Sequence, residues 1–134
     1  MNAAPLRILI VDDFADNARM LKVLVKNEGH EARIASDGLE AIAAANLQKP
    51  HVVLLDLTLP GMSGIDVAAA LRRDPEQAGC VLVAISGHSK ESVPSPSPFD
   101  QHFVKPVDPA LLLDYLSEVE ARRTPPSRTT MAVA

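Results

Sequence analysis

Cysteine is almost missing from this sequence, since Cys80 is the only one among 134 residues. A single thiol excludes an internal disulfide and is typical of a protein in the reducing cytoplasm, where we expect this chain to reside. We expect Cys80 to be a small buried apolar residue, and we assign it no redox chemistry.

The sequence also lacks an excess of positive charge, because 13 lysines and arginines stand against 17 aspartates and glutamates. With a formal net charge of -4, no direct contact with nucleic acid or with an anionic membrane is expected. No apolar run approaches the roughly 20 residues of a membrane span, and the first six residues lack the layout of a secretory signal. A chain of this length, 47% hydrophobic, predicts one domain with a real core.

What the sequence does contain is a regular alternation of short apolar runs and segments of helical period. Runs rich in Val, Ile and Leu are typical of strands buried on both faces of a parallel sheet. Five strands are predicted, at residues 6–13, 31–36, 51–57, 80–86 and 102–105. Their alternation with helices predicts a doubly wound α/β fold with right-handed crossovers.

Four helices are predicted between and after these strands from apolar spacing and from capping residues. Asp37, Ser63 and Asp108 are the expected N-caps, and Gly29 and Pro50 mark the ends of the first two helices. The residues expected to face the core are Phe14, Ala18, Leu21 and Val25 in the first helix, Leu39, Ile42 and Ala43 in the second, Val67, Ala68 and Leu71 in the third, and Leu112, Tyr115, Leu116 and Val119 in the last.

Two segments depart from this alternation of strands and helices. In "SKESVPSPSPFD", residues 89–100, Pro94, Pro96 and Pro98 disfavour helix, so a Pro/Ser loop is predicted where a helix is due. After about Arg122 the chain is polar, contains prolines and has no acids, and we predict a disordered tail over residues 122–134.

Polar residues close four of the predicted strands. In a doubly wound sheet the ligand site lies beyond the carboxyl ends of the strands, so these side chains are expected to converge on one crevice. They are Asp12, Asp13, Asp56, Ser86 and Lys105. This placement puts Asp56 where a buried strand meets solvent, at the site and not in the core.

The three carboxylates predict a cation site, because crowded carboxylates repel one another unless a cation neutralises them. Ligation by oxygen alone suits Mg²⁺ better than zinc, and the histidines offer no zinc spacing. These histidines are His30, His51, His88 and His102. An ammonium and a hydroxyl, from Lys105 and Ser86, can hold two oxygens of a transferred phosphoryl group and leave Asp56 as the nucleophile.

Four stretches together resemble the receiver domain of response regulators in two-component signalling. They are "ILIVDD" (8–13), "VVLLDLTLPGMSG" (52–64), "AISG" (84–87) and "FVKP" (103–106). The resemblance covers about residues 6–121, which we take as the domain. It implies a flavodoxin-like, five-stranded parallel sheet in the order 2-1-3-4-5, here with the fourth helix shortened or replaced by the Pro/Ser loop.

The resemblance also implies a function for each residue of the cluster. Asp56 would accept a phosphoryl group from a histidine kinase or a histidine phosphotransfer protein. Asp13, Asp56 and the backbone carbonyl of Thr58 would ligate Mg²⁺, with Asp12 acting mainly through water. Ser86 and Lys105 would contact the phosphoryl group. The bond from Lys105 to the following proline is expected to be cis.

Such a domain is a switch and not an enzyme on other substrates, since it catalyses only its own phosphorylation and dephosphorylation. Its downstream partner would be a protein that the sequence does not identify. The start at Met1 and the short segment after residue 122 favour a stand-alone regulator. The stretch "FDQHFVKPVDPALL" resembles receivers fused to hybrid histidine kinases, which keeps that alternative open.

Two features depart from the family pattern. The residue three before Lys105, usually Tyr or Phe and part of the switch with Ser86, is His102, whose polar ring can titrate near neutrality. Coupling between Ser86 and His102 is therefore expected to be weak or sensitive to pH. In addition, only 18 residues separate Ser86 from Lys105, fewer than the family usually has.

Two other classes of protein share parts of this pattern but fit it less well. A phosphatase or phosphotransferase with an aspartyl nucleophile generally carries a second acid two residues after the nucleophile, where this chain has Thr58. A flavin-binding module needs a phosphate loop rich in glycine and hydroxyl groups after the first strand, whereas "DDFADN" (12–17) would repel phosphate unless a metal intervened.

Overall fold

The computed structural model describes residues 5–77, 79–87 and 97–123. In chain order its elements are β1 (Arg7–Val11), α1 (Ala15–Asn27), β2 (Glu31–Ala35), α2 (Gly38–Gln48), β3 (Val52–Asp56), α3 (Gly64–Arg73), β4 (Val81–Ser86), β5 (Gln101–Val104) and α4 (Pro109–Arg123). The strands form one parallel sheet in the order β2-β1-β3-β4-β5. The predicted α/β fold and strand order are therefore confirmed.

The sheet buries both of its faces, because successive side chains of a strand point to opposite sides. On one face, Ile8 and Ile10 of β1 belong to a core cluster that α1 and α4 cover. On the other face, Leu9 and Val11 of the same strand belong to a cluster that α2 and α3 cover. The three central strands β1, β3 and β4 are therefore apolar at nearly every position, and their polar side chains lie at the strand ends.

The predicted N-caps are confirmed by side-chain hydrogen bonds. Asp37 accepts from the backbone N–H of Glu40 at 2.8 Å, and Ser63 accepts from the N–H of Asp66 at 3.2 Å. The Asp108 carboxylate likewise accepts from the N–H of Ala110 at 2.9 Å. Of the residues predicted to face the core, those of α3 are buried, and so are the ones predicted for α4 except Tyr115, which is half-buried.

Three predicted core positions are wrong. Phe14 is 57% exposed because it is the N-cap of α1 and lies before the buried stripe of that helix. In α2, Leu39 is 73% exposed and Ala43 is also exposed, whereas Ala41, Ala44 and Ala45 are buried. This helix is apolar on nearly all sides, so the spacing of its leucines did not reveal which side packs on the sheet.

Two predictions fall largely outside the described residues. Of the Pro/Ser segment at 89–100, only residues 97–100 are described, and they are not helical. Of the tail predicted from residue 122, Arg122 and Arg123 belong to α4, and residues 124–134 lie outside the described part. No helix in the described part of the chain is long and apolar enough to cross a membrane.

Cys80 is buried, as expected for an apolar role. Burial raises the pKa of its thiol, which keeps the sulfur protonated and poorly nucleophilic near neutral pH.

Two histidines hold the start of β1 at the end of the sheet opposite the polar strand ends. His30 Nδ1 accepts a hydrogen bond from the backbone N–H of Leu6 at 3.1 Å. His51 Nδ1 accepts from the backbone N–H of Arg7 at 2.9 Å. A ring nitrogen that accepts a hydrogen bond carries no hydrogen, so each neutral ring has its hydrogen on Nε2.

We expect the His51→Asn variant to lose less stability on acidification than the natural chain. Burial, and secondarily the charges of Arg123 and Arg7, lower the pKa of His51 to about 4. Because the unfolded chain takes up this proton near pH 6.5, the stabilisation is complete above that pH and is lost progressively down to about pH 4. An asparagine can accept from the same N–H but does not titrate.

The measurement is the free energy of unfolding in urea at pH 7 and pH 5 for both proteins. A smaller difference between the two pH values in the variant supports the assignment. An equal difference in both proteins would show that His51 does not contribute to the acid sensitivity.

Candidate functional site

Three aspartates from two neighbouring strands meet at the carboxyl edge of the sheet. Asp12 and Asp13 follow β1, and Asp56 is the last residue of β3, which pairs with β1. One carboxylate oxygen from each of the three lies within 4.8 Å of those from the other two. The structure thus brings together the three carboxylates that the strand ends predicted.

The carboxylate of Asp56 is held by one neutral and one charged donor. Its Oδ1 accepts from the backbone N–H of Thr58 at 2.9 Å, and its Oδ2 accepts from the Lys105 ammonium at 3.1 Å. These contacts fix the side chain at the strand end, but they also cover it, and only 6% of it is exposed. The sequence predicted that Asp56 lies where the strand meets solvent. In the structure its side chain is less exposed than that position implied.

Asp12 lies beside Asp56 in an electrostatically unfavourable position. It is 3% exposed and accepts a hydrogen bond from the backbone N–H of Phe14 at 2.9 Å. Burial, and to a lesser extent the negative charge of Asp56, raise the pKa of Asp12, although the Phe14 N–H and the Lys105 charge oppose the shift. Because a nearby cation would offset this penalty, the oxygen donors of the cluster fit a hard divalent ion such as Mg²⁺.

Lys105 reaches this cluster because β5 ends beside β4. Its backbone N–H donates to the carbonyl of Ser86 at 2.7 Å, which holds the end of β5 against the end of β4. The bond between Lys105 and Pro106 is cis, as predicted. The lysine side chain is 31% exposed, so the ammonium lies between the buried Asp56 and solvent.

Ser86 and His102 form a contact that the sequence did not reveal. Ser86 is the last residue of β4 and is 1% exposed. Its Oγ lies 2.9 Å from Nε2 of His102, on the adjacent strand β5. The two side chains are thus within hydrogen-bonding distance, and the expectation that their coupling is weak or sensitive to pH stays a prediction.

A cavity of about 330 Å³ opens beside the cluster, between α1 and the residues after β5. Asp12 and Lys105 line it, together with Asn17 and Met20 of α1. The sequence did not predict a role for Asn17 or Met20, because nothing in the spacing of α1 shows which of its polar and apolar side chains border the crevice.

The fold and the cluster define a class of doubly wound domains with an acidic crevice, a lysine and a hydroxyl at the carboxyl edge of the sheet. The family model of the response regulator receiver domain matches residues 8–117. The chain is therefore a member of the response regulator receiver family, which acts in two-component systems and whose partners include histidine kinases. Domains of this family typically bind Mg²⁺ at an acidic pocket such as the one formed here.

Individual relatives agree with this assignment. The chain is 38% identical over 107 residues to the DNA-binding response regulator MtrA of Mycolicibacterium paratuberculosis, covering 80% of this chain and 48% of that protein. It is 34% identical over 109 residues to the response regulator PleD of Caulobacter vibrioides, covering 79% of this chain and 24% of that protein. The chain thus spans about half or less of the length of these curated relatives.

A solved structure agrees as well. The receiver domain (CheY-like) from Methylobacillus flagellatus has a TM-score of 0.80 and 30% sequence identity to this chain, and the match covers 87% of this chain and 99% of that domain. The similarity thus spans nearly all of a separate receiver domain.

Proposed function

We propose that this domain takes a phosphoryl group from a histidine kinase or a histidine phosphotransfer protein onto Asp56. The observation that carries the proposal is the surroundings of the Asp56 carboxylate. It ends a buried strand, has the Lys105 ammonium 3.1 Å away, and shares one crevice with two further carboxylates. This is the arrangement that a phosphoryl acceptor needs, with a nucleophile, a cation for the phosphoryl oxygens and ligands for a metal ion.

In the transfer, one oxygen of Asp56 bonds to phosphorus while the bond from phosphorus to the imidazole nitrogen of the donor breaks. The electron pair of that bond stays on the imidazole, which takes up a proton, and Asp56 becomes an acyl phosphate. Lys105 stabilises the negative charge on the phosphoryl oxygens, and the Ser86 hydroxyl donates a hydrogen bond to one of them.

The metal ligands proposed are Asp13, Asp56 and the backbone carbonyl of Thr58, with Asp12 acting mainly through water. These ligands would hold Mg²⁺, whose positive charge would neutralise the carboxylates and stabilise negative charge on the phosphoryl oxygens. The new phosphate would add roughly two negative charges at the edge of the sheet, by analogy with other phosphorylated side chains. The populations of two conformations of the domain would then change, and a docking surface would change with them.

The direct test is incubation of the chain with acetyl phosphate and Mg²⁺, followed by intact mass spectrometry at low temperature. We expect a mass increase of one phosphoryl group that disappears in hydroxylamine, which cleaves acyl phosphates. Removing the metal with EDTA should prevent the increase. A chain that shows no increase in the presence of Mg²⁺ would contradict the proposal.

In the absence of metal, the Asp12→Asn variant should be more stable than the natural chain. Adding Mg²⁺ should stabilise the variant less than it stabilises the natural chain. The pKa of Asp12 is raised, so the fold disfavours its ionised form, and at pH 7 that charge costs stability. Asparagine removes the charge and can still accept from the Phe14 N–H. We expect the melting temperature to rise by a few degrees in EDTA and the further rise on adding Mg²⁺ to shrink.

The matched control is Asp114→Asn on the exposed surface of α4. This variant should have the melting temperature of the natural chain both in EDTA and with Mg²⁺. If Asp12→Asn lowers the melting temperature in EDTA, the ionised Asp12 stabilises the fold, and the electrostatic argument is wrong.

A further inference from the structure

The outer face of α2 contains the two most exposed large apolar side chains in the described part of the chain. Leu39 is 73% exposed and Leu47 is 76% exposed, and Ala43, midway between them, is exposed as well. Residues four positions apart lie on the same side of a helix, so these three side chains form an apolar stripe about 12 Å long. Contiguous exposed apolar surface, unlike a single exposed residue, marks an interaction site.

The exposed residues of this helix are arranged symmetrically about Ala43. They are Leu39, Glu40, Ala43, Asn46 and Leu47, so each one before Ala43 has a counterpart equally far after it. When a twofold axis relates two copies, residue i of one copy faces residue j of the other, and j faces i. With the axis at Ala43 and the two helices antiparallel, Leu39 lies against Leu47 of the second copy. Glu40 then lies against Asn46.

The polar pair in this arrangement is complementary in hydrogen bonding. Oε1 of Glu40 accepts from the N–H and the hydroxyl of Ser36, at 2.6 and 2.7 Å, which leaves Oε2 as an acceptor. Oδ1 of Asn46 lies 3.5 Å from Nε2 of Gln77, which leaves the amide NH₂ group of Asn46 as a donor. Each carboxylate therefore meets a donor across the axis and not a second carboxylate.

The two ends of the helix are complementary in charge. Asp37 precedes α2, and Lys49, which is ion-paired with Glu76 of the same chain, follows it. Antiparallel pairing brings the acidic start of the helix in each copy beside the basic end of the helix in the other. The two helix dipoles are then oppositely oriented, which is the favourable arrangement. A parallel pair would instead place like charges together, so the charges favour a second, antiparallel copy as the partner.

We propose that two copies of this chain associate through α2 as an antiparallel pair with the twofold axis at Ala43. The small side chain at the axis lets the two helix backbones approach closely, and the leucines on either side of it pack together. A contact between two helices of 11 residues is smaller than a standard interface, which buries at least roughly 1,200 Å². The dimer is therefore reversible. It requires no phosphoryl group on Asp56, so this inference does not depend on the proposed function.

Disulfide cross-linking tests the position of the axis. The Ala43→Cys variant should form a covalent dimer when oxidised with copper-phenanthroline, because a residue on the axis faces its own counterpart. The matched control is Ser117→Cys on the exposed surface of α4, which should form covalent dimers only at a background level. Cys80 is buried and should not contribute. Equal amounts of covalent dimer in Ala43→Cys and in the control would overturn the inference.

A mixture of two further variants tests the direction of the helices. Leu39→Cys and Leu47→Cys should cross-link with each other when mixed, because the two positions face each other across the interface. Neither should cross-link alone, since its two copies would be about 12 Å apart along the helices, beyond the roughly 7 Å between Cα atoms that a disulfide spans. Cross-linking of either variant alone to the extent seen in the mixture would show a different arrangement and overturn the inference.

Sedimentation equilibrium, without a phosphoryl donor or Mg²⁺, measures the association itself. Leu47→Glu should raise the dissociation constant of the dimer at least about tenfold, because by symmetry it places two carboxylates in an apolar contact. The matched control Leu111→Glu changes an exposed leucine of α4 and should leave the dissociation constant unchanged.

Two results of this measurement would overturn the inference. One is a natural chain that stays monomeric at near-millimolar concentration, in which case the stripe on α2 serves a different partner. The other is a dimer that Leu111→Glu disrupts and Leu47→Glu does not, in which case the copies associate through α4. Either result leaves the phosphorylation of Asp56 untouched, since that is measured separately with acetyl phosphate.

Discussion

The Asp56→Asn variant is expected to take up no detectable phosphoryl group from acetyl phosphate and Mg²⁺. An amide oxygen is a far weaker nucleophile than a carboxylate, and the substitution also removes one proposed metal ligand. The change is nearly isosteric, so the side-chain oxygen can still accept from the Thr58 N–H. Intact mass spectrometry measures the outcome, and circular dichroism shows whether the variant is folded.

Two observations make this result specific to Asp56. The control Asp114→Asn removes one carboxylate from the exposed surface of α4 and should leave the uptake at the level of the natural chain. Uptake in Asp56→Asn that equals that of the natural chain would mean that another carboxylate, such as Asp12 or Asp13, is the acceptor. The assignment of the nucleophile would then be wrong, even though the acidic cluster were functional.

The position of the site could be predicted from the sequence because it follows from topology alone. Once the apolar runs are taken as parallel strands, their carboxyl ends must lie at one edge, and the residues that close them must lie near one another. The contact between Lys105 and Asp56, 49 residues apart, is the clearest case. Neither the side-chain rotamers nor the helix faces were needed to expect it.

The faces of two helices could not be predicted in the same way. In α2 nearly every side is apolar, so the periodicity holds little information, and tertiary packing selects small alanines for the buried side and leaves Leu39 outside. Phe14 was misplaced for a different reason. It has the spacing of the buried stripe in α1, but it lies at the N-cap, where the chain has not yet entered the helix.

Contacts between side chains at the site could not be predicted from the sequence either. Whether Ser86 reaches His102 depends on the register of β4 with β5, which pairs Ala84 with His102 and Ser86 with Val104. A shift of one residue would turn His102 to the other face of the sheet. The burial of Asp56 depends likewise on the loop after β3, whose Thr58 N–H turns back onto the carboxylate.

The Gly64→Ala variant is expected to lose roughly 1–3 kcal/mol of stability or more, the cost of forcing extra volume into a packed site. Gly64 is the first residue of α3, and a Cβ there would press on the carbonyl oxygen of Asp56 and lie 2.7 Å from the Cα of Leu57. Both atoms belong to the backbone, so no side chain can move aside. Helix propensity favours alanine by about 1 kcal/mol at most, which is too little to reverse the sign.

The same substitution should slow phosphorylation, because the backbone that must move to relieve the contact carries the Asp56 side chain. Urea unfolding and the rate of phosphoryl uptake measure the two effects. The control is Gly79→Ala, where a Cβ would meet nothing within 4 Å and where stability should change by less than about 1 kcal/mol. The expectation is contradicted if Gly64→Ala is as stable as the control and takes up the phosphoryl group at the rate of the natural chain. In that case α3 can move away from β3 without disturbing Asp56. The close approach at Gly64 would then not be what fixes the position of Asp56.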